Sequence, residues 1–212
     1  MLDKGIPEET IIFLLMVPII VTIIAFTRQI IGIRAFGIYT PLITAFAFLG
    51  TGLKYGIGLF IIVLIAGTIM RFLVKKLRLL YLPRIAIVLT IVGLSVLLSF
   101  AIMSAFGQNE FLNISIFPIL IMIVLVEKFV GAQTSKSLQT AIMLSLETLI
   151  LSLISYFILN WEGLKQIILK YPWLILATII INIILGRWTG LRIIELWRFR
   201  AVIKHVENTG KK

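Results

Sequence analysis

The chain has no cysteine and a single histidine, His205, in its polar tail. Without cysteine there is no disulfide framework, no thiolate nucleophile and no thiolate metal site. Charge is also scarce. Only 14% of the 212 residues are charged, against roughly 25% in an ordinary globular chain. Acidic charge is the scarcest, with 9 Asp and Glu against 20 Lys and Arg. No Ser/His/Asp arrangement, paired-histidine spacing, Gly-rich phosphate loop or nucleotide fingerprint is present. These absences argue against an enzyme active site, a metal site and a cofactor.

What remains is largely apolar. Hydrophobic residues make up 60% of the chain, and the mean hydropathy is +1.13. They fall in long blocks without alternation, the signature of membrane helices; barrel strands would alternate in segments of about ten. The fold class is therefore an all-α membrane protein. The net charge of +11 is best read as basic residues flanking the spans on the cytoplasmic side, not as a nucleic-acid surface. The N-terminal "MLDKGIPEE" is acidic and unlike the n-region of a signal peptide, so the first apolar run is expected to be a retained helix.

Seven apolar segments are expected: Thr10 to Phe26, Ala35 to Gly50, Leu53 to Phe72, Ile85 to Phe106, Phe111 to Val126, Leu138 to Leu159 and Tyr171 to Trp188. The second and fifth are short and contain proline; 16 residues of helix cover about 24 Å of a ~30 Å hydrocarbon core. If all seven cross, 16 of the 20 basic residues fall on one side. If both short ones are re-entrant, the split becomes 12 against 8. The positive-inside rule thus favours seven crossings, with the N-terminus outside and the C-terminus in the cytoplasm. The expected organisation is an outer segment 1–9, a membrane domain 10–188, and a cytoplasmic amphipathic helix with a basic tail, 189–212. In that last region Leu191, Ile194 and Trp197 share one face, while Arg192, Glu195 and Arg198 occupy much of the rest.

"RQIIGIRAFGIYTPLI", Arg28 to Ile43, interrupts the apolar runs with two arginines and with glycines and a proline besides. Arg28 and Arg34 are expected to hold a short cytoplasmic loop. The short segments echo each other, with Gly37 and Pro41 around Tyr39 in one and Pro118 after Phe117 in the other. Three crossings per half would make an inverted 3+3 repeat plus one helix, in which Pro-interrupted helices often mark a binding region. The competing explanation is that proline is simply common in membrane helices.

Glu147 lies near the middle of the sixth segment. Thr140, Glu147, Thr148, Ser152 and Ser155 fall within roughly a 140° arc of that helix. The stripe is either a path for a proton, ion or polar group, or a hydrogen-bonded helix interface. Asn182 is the candidate partner of Glu147. Glu127 and Lys128 are expected to end the fifth segment at the inner surface. Arg28, Arg34, Arg84, Arg187, Arg192, Arg198 and Arg200, with Glu127 and Glu195, form the candidate cytoplasmic rim for a partner or an anion.

Three stretches stand out together: "RQIIGIRAFGIYTPLITAFAF" from Arg28, "LRLLYLPRIAIVLTIV" from Leu77 and "GRWTGLRIIELWRFR" from Gly186. With their spacing they resemble the bacterial membrane domain of seven transmembrane helices usually fused to an inactive transglutaminase, over about Ile11 to Arg200. Arg28, Gly32, Arg34, Gly37, Pro41, Arg187, Gly190, Arg192, Glu195, Arg198 and Arg200 carry the resemblance. It implies a transglutaminase-like domain outside the cytoplasm, ahead of the first helix. The present chain has only about nine residues there, as a stand-alone version or a piece cut at the boundary would. The resemblance also implies a bacterial inner-membrane location and a neighbouring cytoplasmic ATP-grasp amide ligase of the glutamate-ligase type. More distantly, the chain is similar to the membrane component of poly-γ-glutamate capsule synthesis. The function expected is a non-catalytic scaffold or conduit for a peptide-like envelope product. The alternatives are a secondary transporter of a small solute and a plain membrane anchor.

Overall fold

A computed structural model describes residues 7–75, 79–105, 115–135, 137–188 and 190. The described residues are helical with no strand. In chain order they form α1 (Glu8–Phe26) running into a π-helical turn (Thr27–Ile31), α2 (Tyr39–Thr51), α3 (Leu53–Lys75), α4 (Tyr81–Ala105), α5 (Ile116–Ser135), α6 (Leu138–Leu159), α7 (Glu162–Lys170), a 3₁₀ turn (Pro172–Leu174) and α8 (Ile175–Gly186). The first helix with its π turn, α3, α4, α5 and α6 are each long and apolar enough to cross a membrane. The loop 107–113 and the C-terminal amphipathic helix, with Arg192, Glu195, Arg198 and Arg200, lie outside the described residues.

Two compact units divide the chain: residues 35–156, and residues 1–34 together with 157–212. The first holds α2 to α6. Its core is built where valines, leucines and phenylalanines of α3, α4 and α5 interdigitate, around Phe48, Phe60, Val63, Val92, Met122 and Val126. Gly67 lets α3 lie close on α5: a Cβ there would come within 2.7 Å of Val126. Residue 67 of α3 meets 126–130 of α5, and Arg71 bonds to Gln133, so α3 and α5 run in the same direction. The helix α2 packs on α5 antiparallel, with Gly50 against Pro118 and the Phe36 ring edge-on to Phe129 at 6.5 Å.

The fifth segment is not short. It continues through Glu127 and Lys128 to Ser135, a helix of 20 residues. Those two charges therefore sit within a helix and not at its end. The reason is the face that packs: Phe129, Val130 and Gln133 are buried, so the helix is held by its neighbours where its average hydropathy falls. Pro118 is the third residue of α5, and Pro41 is the third residue of α2. Neither costs a helical hydrogen bond, because the first-turn N–H groups have no intrahelical acceptor.

In the other unit, α1 packs against α7 and α8. Asn182 Nδ2 donates to Thr22 Oγ1 at 2.7 Å and Gln29 Nε2 donates to the Trp188 carbonyl at 3.4 Å. Successive contacts in the same order make α1 and α8 parallel. The expected seventh span, from Tyr171, starts at a bend: Glu162–Lys170 ahead of it and Pro172–Gly186 within it meet at 100°. Pro172 is the cause, since it removes an N–H and disfavours helical geometry in Tyr171, which adopts φ −130°. Trp161, Tyr171 and Trp173 are exposed around the bend, the composition of a membrane–water interface. The Lys165–Glu162 pair on α7, at 2.6 Å, is a surface pair and contributes little to stability.

Candidate functional site

The breakers in the Arg28–Ile43 stretch produce an uncoiled segment, residues 32–38. The π turn ends at Gly32, whose N–H donates to the Thr27 carbonyl at 2.9 Å, followed by Ile33 at 3.4 Å. Gly32 at φ +101° and Gly37 at φ +100° take the left-handed conformations that terminate one helix and start the next. Space around a Cβ at Gly37 is open, so backbone conformation alone accounts for glycine there. Arg28 falls inside the π turn and not in the loop; Arg34 is exposed in the loop.

Within residues 35–156, this uncoiled backbone lies beside the sixth helix. Ala35 N–H donates to Glu147 Oε2 at 3.0 Å, and Phe36 N–H donates to Thr148 Oγ1 at 3.0 Å. Two consecutive side chains of α6 thus satisfy two consecutive N–H groups. Ala35 has φ +32°, an unusual conformation for a residue with a Cβ, of the sort held only where surroundings over-determine it. The depth of the loop explains the need. Phe36 stands level with Phe129, and α5 continues for six further residues, about 9 Å at 1.5 Å per residue. At that depth in a bilayer a free N–H would cost several kcal/mol, and non-helical backbone is tolerated only against protein or water. The 13 residues of α2 span about 20 Å, less than the ~30 Å of a hydrocarbon core.

The rest of the polar stripe closes on its own helix. Ser145, Thr148, Ser152 and Ser155 are buried. Their hydroxyls donate to the carbonyls of Ala141, Leu144, Thr148 and Leu151 at 2.7–2.9 Å, the usual back-bond of Ser and Thr in a helix. Thr148 therefore uses its hydroxyl twice, as donor to Leu144 and acceptor from Phe36. Thr140 is paired with Ser137 at 2.8 Å. Asn182 belongs to the other unit and donates to Thr22 and to the Thr178 carbonyl.

The basic residues are dispersed in role. Gln29 joining Trp188 brings the neighbouring Arg28 and Arg187 to one end of their unit. In the other unit Arg84 turns back on the chain: its Nη2 donates to the Leu79 carbonyl at 3.0 Å, and its Nε is buried. Glu127 is half-buried on α5.

Sequence reasoning missed one polar cluster altogether. Arg71 donates from Nη1 to Gln133 Oε1 at 3.4 Å and from Nη2 to the Gln133 carbonyl, while Gln133 Nε2 donates to Thr68 Oγ1 at 3.0 Å. Gln133 is 1% exposed. The signal was present as Thr68 and Arg71, three residues apart on one helix, with Gln133 in a stretch that hydropathy places outside the membrane. Among the described residues, no group of three or more His, Cys, Asp or Glu is arranged to hold a metal ion.

No curated protein and no solved structure is significantly similar to the chain. One family is: seven transmembrane helices usually fused to an inactive transglutaminase, matched over residues 7–203. Five helices long enough to cross, the bent α7–α8 pair and the short apolar α2 make seven apolar elements, in keeping with that description. The chain belongs to this family of seven-helix membrane domains.

Proposed function

We propose that the chain is a non-catalytic membrane scaffold. In this reading it joins a transglutaminase-like domain outside the cytoplasm to a cytoplasmic ATP-grasp amide ligase that makes a peptide-like envelope product. The observation that carries the scaffold reading is the bond from Ala35 N–H to Glu147 Oε2. The most conspicuous intramembrane carboxylate accepts a backbone N–H, and the hydroxyls near it bond back to their own helix. A proton-coupled carrier needs such groups exposed to water in at least one state. The family's usual fusion to an inactive transglutaminase supports a binding role outside.

The proposed orientation has the basic ends in the cytoplasm. The 16-to-4 division of Lys and Arg expected for seven crossings supports it, as does the parallel course of α1 and α8. Arg28 and Arg187, together at one end of their unit, are the proposed docking charges for the ligase. Co-purification of the tagged chain with co-expressed ATP-grasp ligase tests this. Retention of the ligase by the wild type, weakened in an Arg28→Ala, Arg187→Ala double variant, is expected. Absence of any ligase in the wild-type eluate would remove it from the reading.

Transport of a small solute is the second reading, favoured by the uncoiled segment 32–38 beside an acidic side chain, an arrangement transporters use. Proton-dependent uptake into proteoliposomes that is abolished by Glu147→Gln would install it in place of the scaffold.

A further inference from the structure

Within residues 35–156, a groove of about 400 Å³ opens on the outer face of the bundle. Leu64, Ile65 and Thr68 of α3 form one wall, Ile142 and Leu146 of α6 the other, and Phe129 of α5 lies between. Its volume is in the range of small-molecule sites, and its lining is almost wholly apolar. Ile65 and Leu146 are each 55% exposed, so the groove faces outward along helices long and apolar enough to cross a membrane.

Charge stands at one end of it. Arg71 follows Leu64 by seven residues and Thr68 by three, which places it above the same face of α3, one turn past the groove. Its two bonds to Gln133 fix the guanidinium while using two of its five N–H donors. The same end of this unit carries Arg84 at the start of α4; Lys54 begins α3 at the other end. An apolar slot with a fixed guanidinium about one turn beyond its end suits the two halves of one ligand chemistry: a hydrocarbon chain and an anionic head.

We infer that this groove is a specific seat for an anionic phospholipid, one acyl chain lying between α3 and α6 and the phosphate meeting Arg71. Basic pockets between membrane helices bind acidic headgroups in this way. The long α3 and α6 walls supply contact for the chain; the guanidinium, held by Gln133, loses little freedom on meeting the phosphate.

The test is native mass spectrometry of the full chain in detergent, titrated with phosphatidylglycerol and with phosphatidylcholine of identical chains. The wild type is expected to bind one phosphatidylglycerol, at least about fivefold tighter than phosphatidylcholine, as one fixed cation provides. Leu146→Trp and Ile65→Trp, at exposed positions that still fold, fill the groove and weaken phosphatidylglycerol about tenfold. Ile179→Trp on α8 leaves it within about twofold. Arg71→Gln brings phosphatidylglycerol down to the phosphatidylcholine level. Inorganic phosphate does not displace the lipid. Equal binding of the two lipids by the wild type overturns the inference, as does indifference to both groove-filling variants or displacement by phosphate alone. A dimer that forms in the wild type and disappears with Leu146→Trp also overturns it, since a second copy of the chain is then the occupant.

Discussion

Ala35 and Glu147, 112 residues apart in sequence, are joined by a backbone N–H donating to a carboxylate oxygen at 3.0 Å. That bond, with its neighbour from Phe36 to Thr148, anchors uncoiled chain to the middle of α6. An acidic residue in an apolar helix is thereby explained without invoking a moving proton. Its consequences are measurable.

If the carboxylate serves as an acceptor, glutamine replaces it and leucine does not. Glu147→Leu should destabilise the protein by about 2 kcal/mol, the value of a hydrogen bond to a charged group together with an N–H left unpaired. Glu147→Gln should stay within about 1 kcal/mol. Unfolding in detergent, followed by helix content, measures both. Equal losses would mean that charge, not acceptance, is what matters.

Ala35 holds a left-handed conformation, φ +32°, that glycine adopts without a Cβ clash. Ala35→Gly is expected to raise stability by up to about 1 kcal/mol, and Ala35→Val to lower it by more than that. A thermal shift assay on the two variants should move in opposite directions; a loss with glycine would show that the methyl group's packing outweighs the strain.

Gly50 and Pro118 touch where α2 crosses the start of α5: a Cβ at 50 would lie 2.5 Å from Pro118 Cγ. Gly50→Ala should cost about 1–3 kcal/mol through overpacking. Because Pro118 occupies the third position of its helix, Pro118→Ala alone should cost little. Combined, the two changes should recover at least half of the loss, a coupling that a double-mutant cycle reads directly. Simple additivity would show that the ring is not the obstacle.

The lack of native cysteine gives a clean background for labelling. The parallel course of α3 and α5 puts Lys54 and Ser135, both exposed, at opposite ends of their unit. In right-side-out cells Lys54→Cys is expected to react with an impermeant maleimide, and Ser135→Cys only after permeabilisation. Labelling of both from outside would overthrow the proposed orientation and the docking surface with it.

Hydropathy and charge, properties that add residue by residue, were enough to locate the apolar elements and the helix-breaking stretch at 28–43. They failed where an element is decided by its neighbour. The helix α5 continues past Glu127 and Lys128 because Phe129, Val130 and Gln133 find α3. The sum over those residues reads as an end.

The break before α8 illustrates the same limit. Pro172 was visible, but not that it turns α7 through 100° onto what its aromatics mark as an interface. Partners were the least legible. Glu147 bonds to a backbone N–H and Arg71 to a glutamine; backbone groups are identical at every position, so no pattern of side chains distinguishes the one that will arrive.

What the amino-acid order determined alone was a lipid-soluble helical chain with its positive charge gathered at particular helix ends, because burial in hydrocarbon and the cost of charge there act on each residue separately. Only the tertiary structure decided that the polar groups inside it would close on one another, since a hydrogen bond needs two groups at about 3 Å and distance is a property of the folded chain.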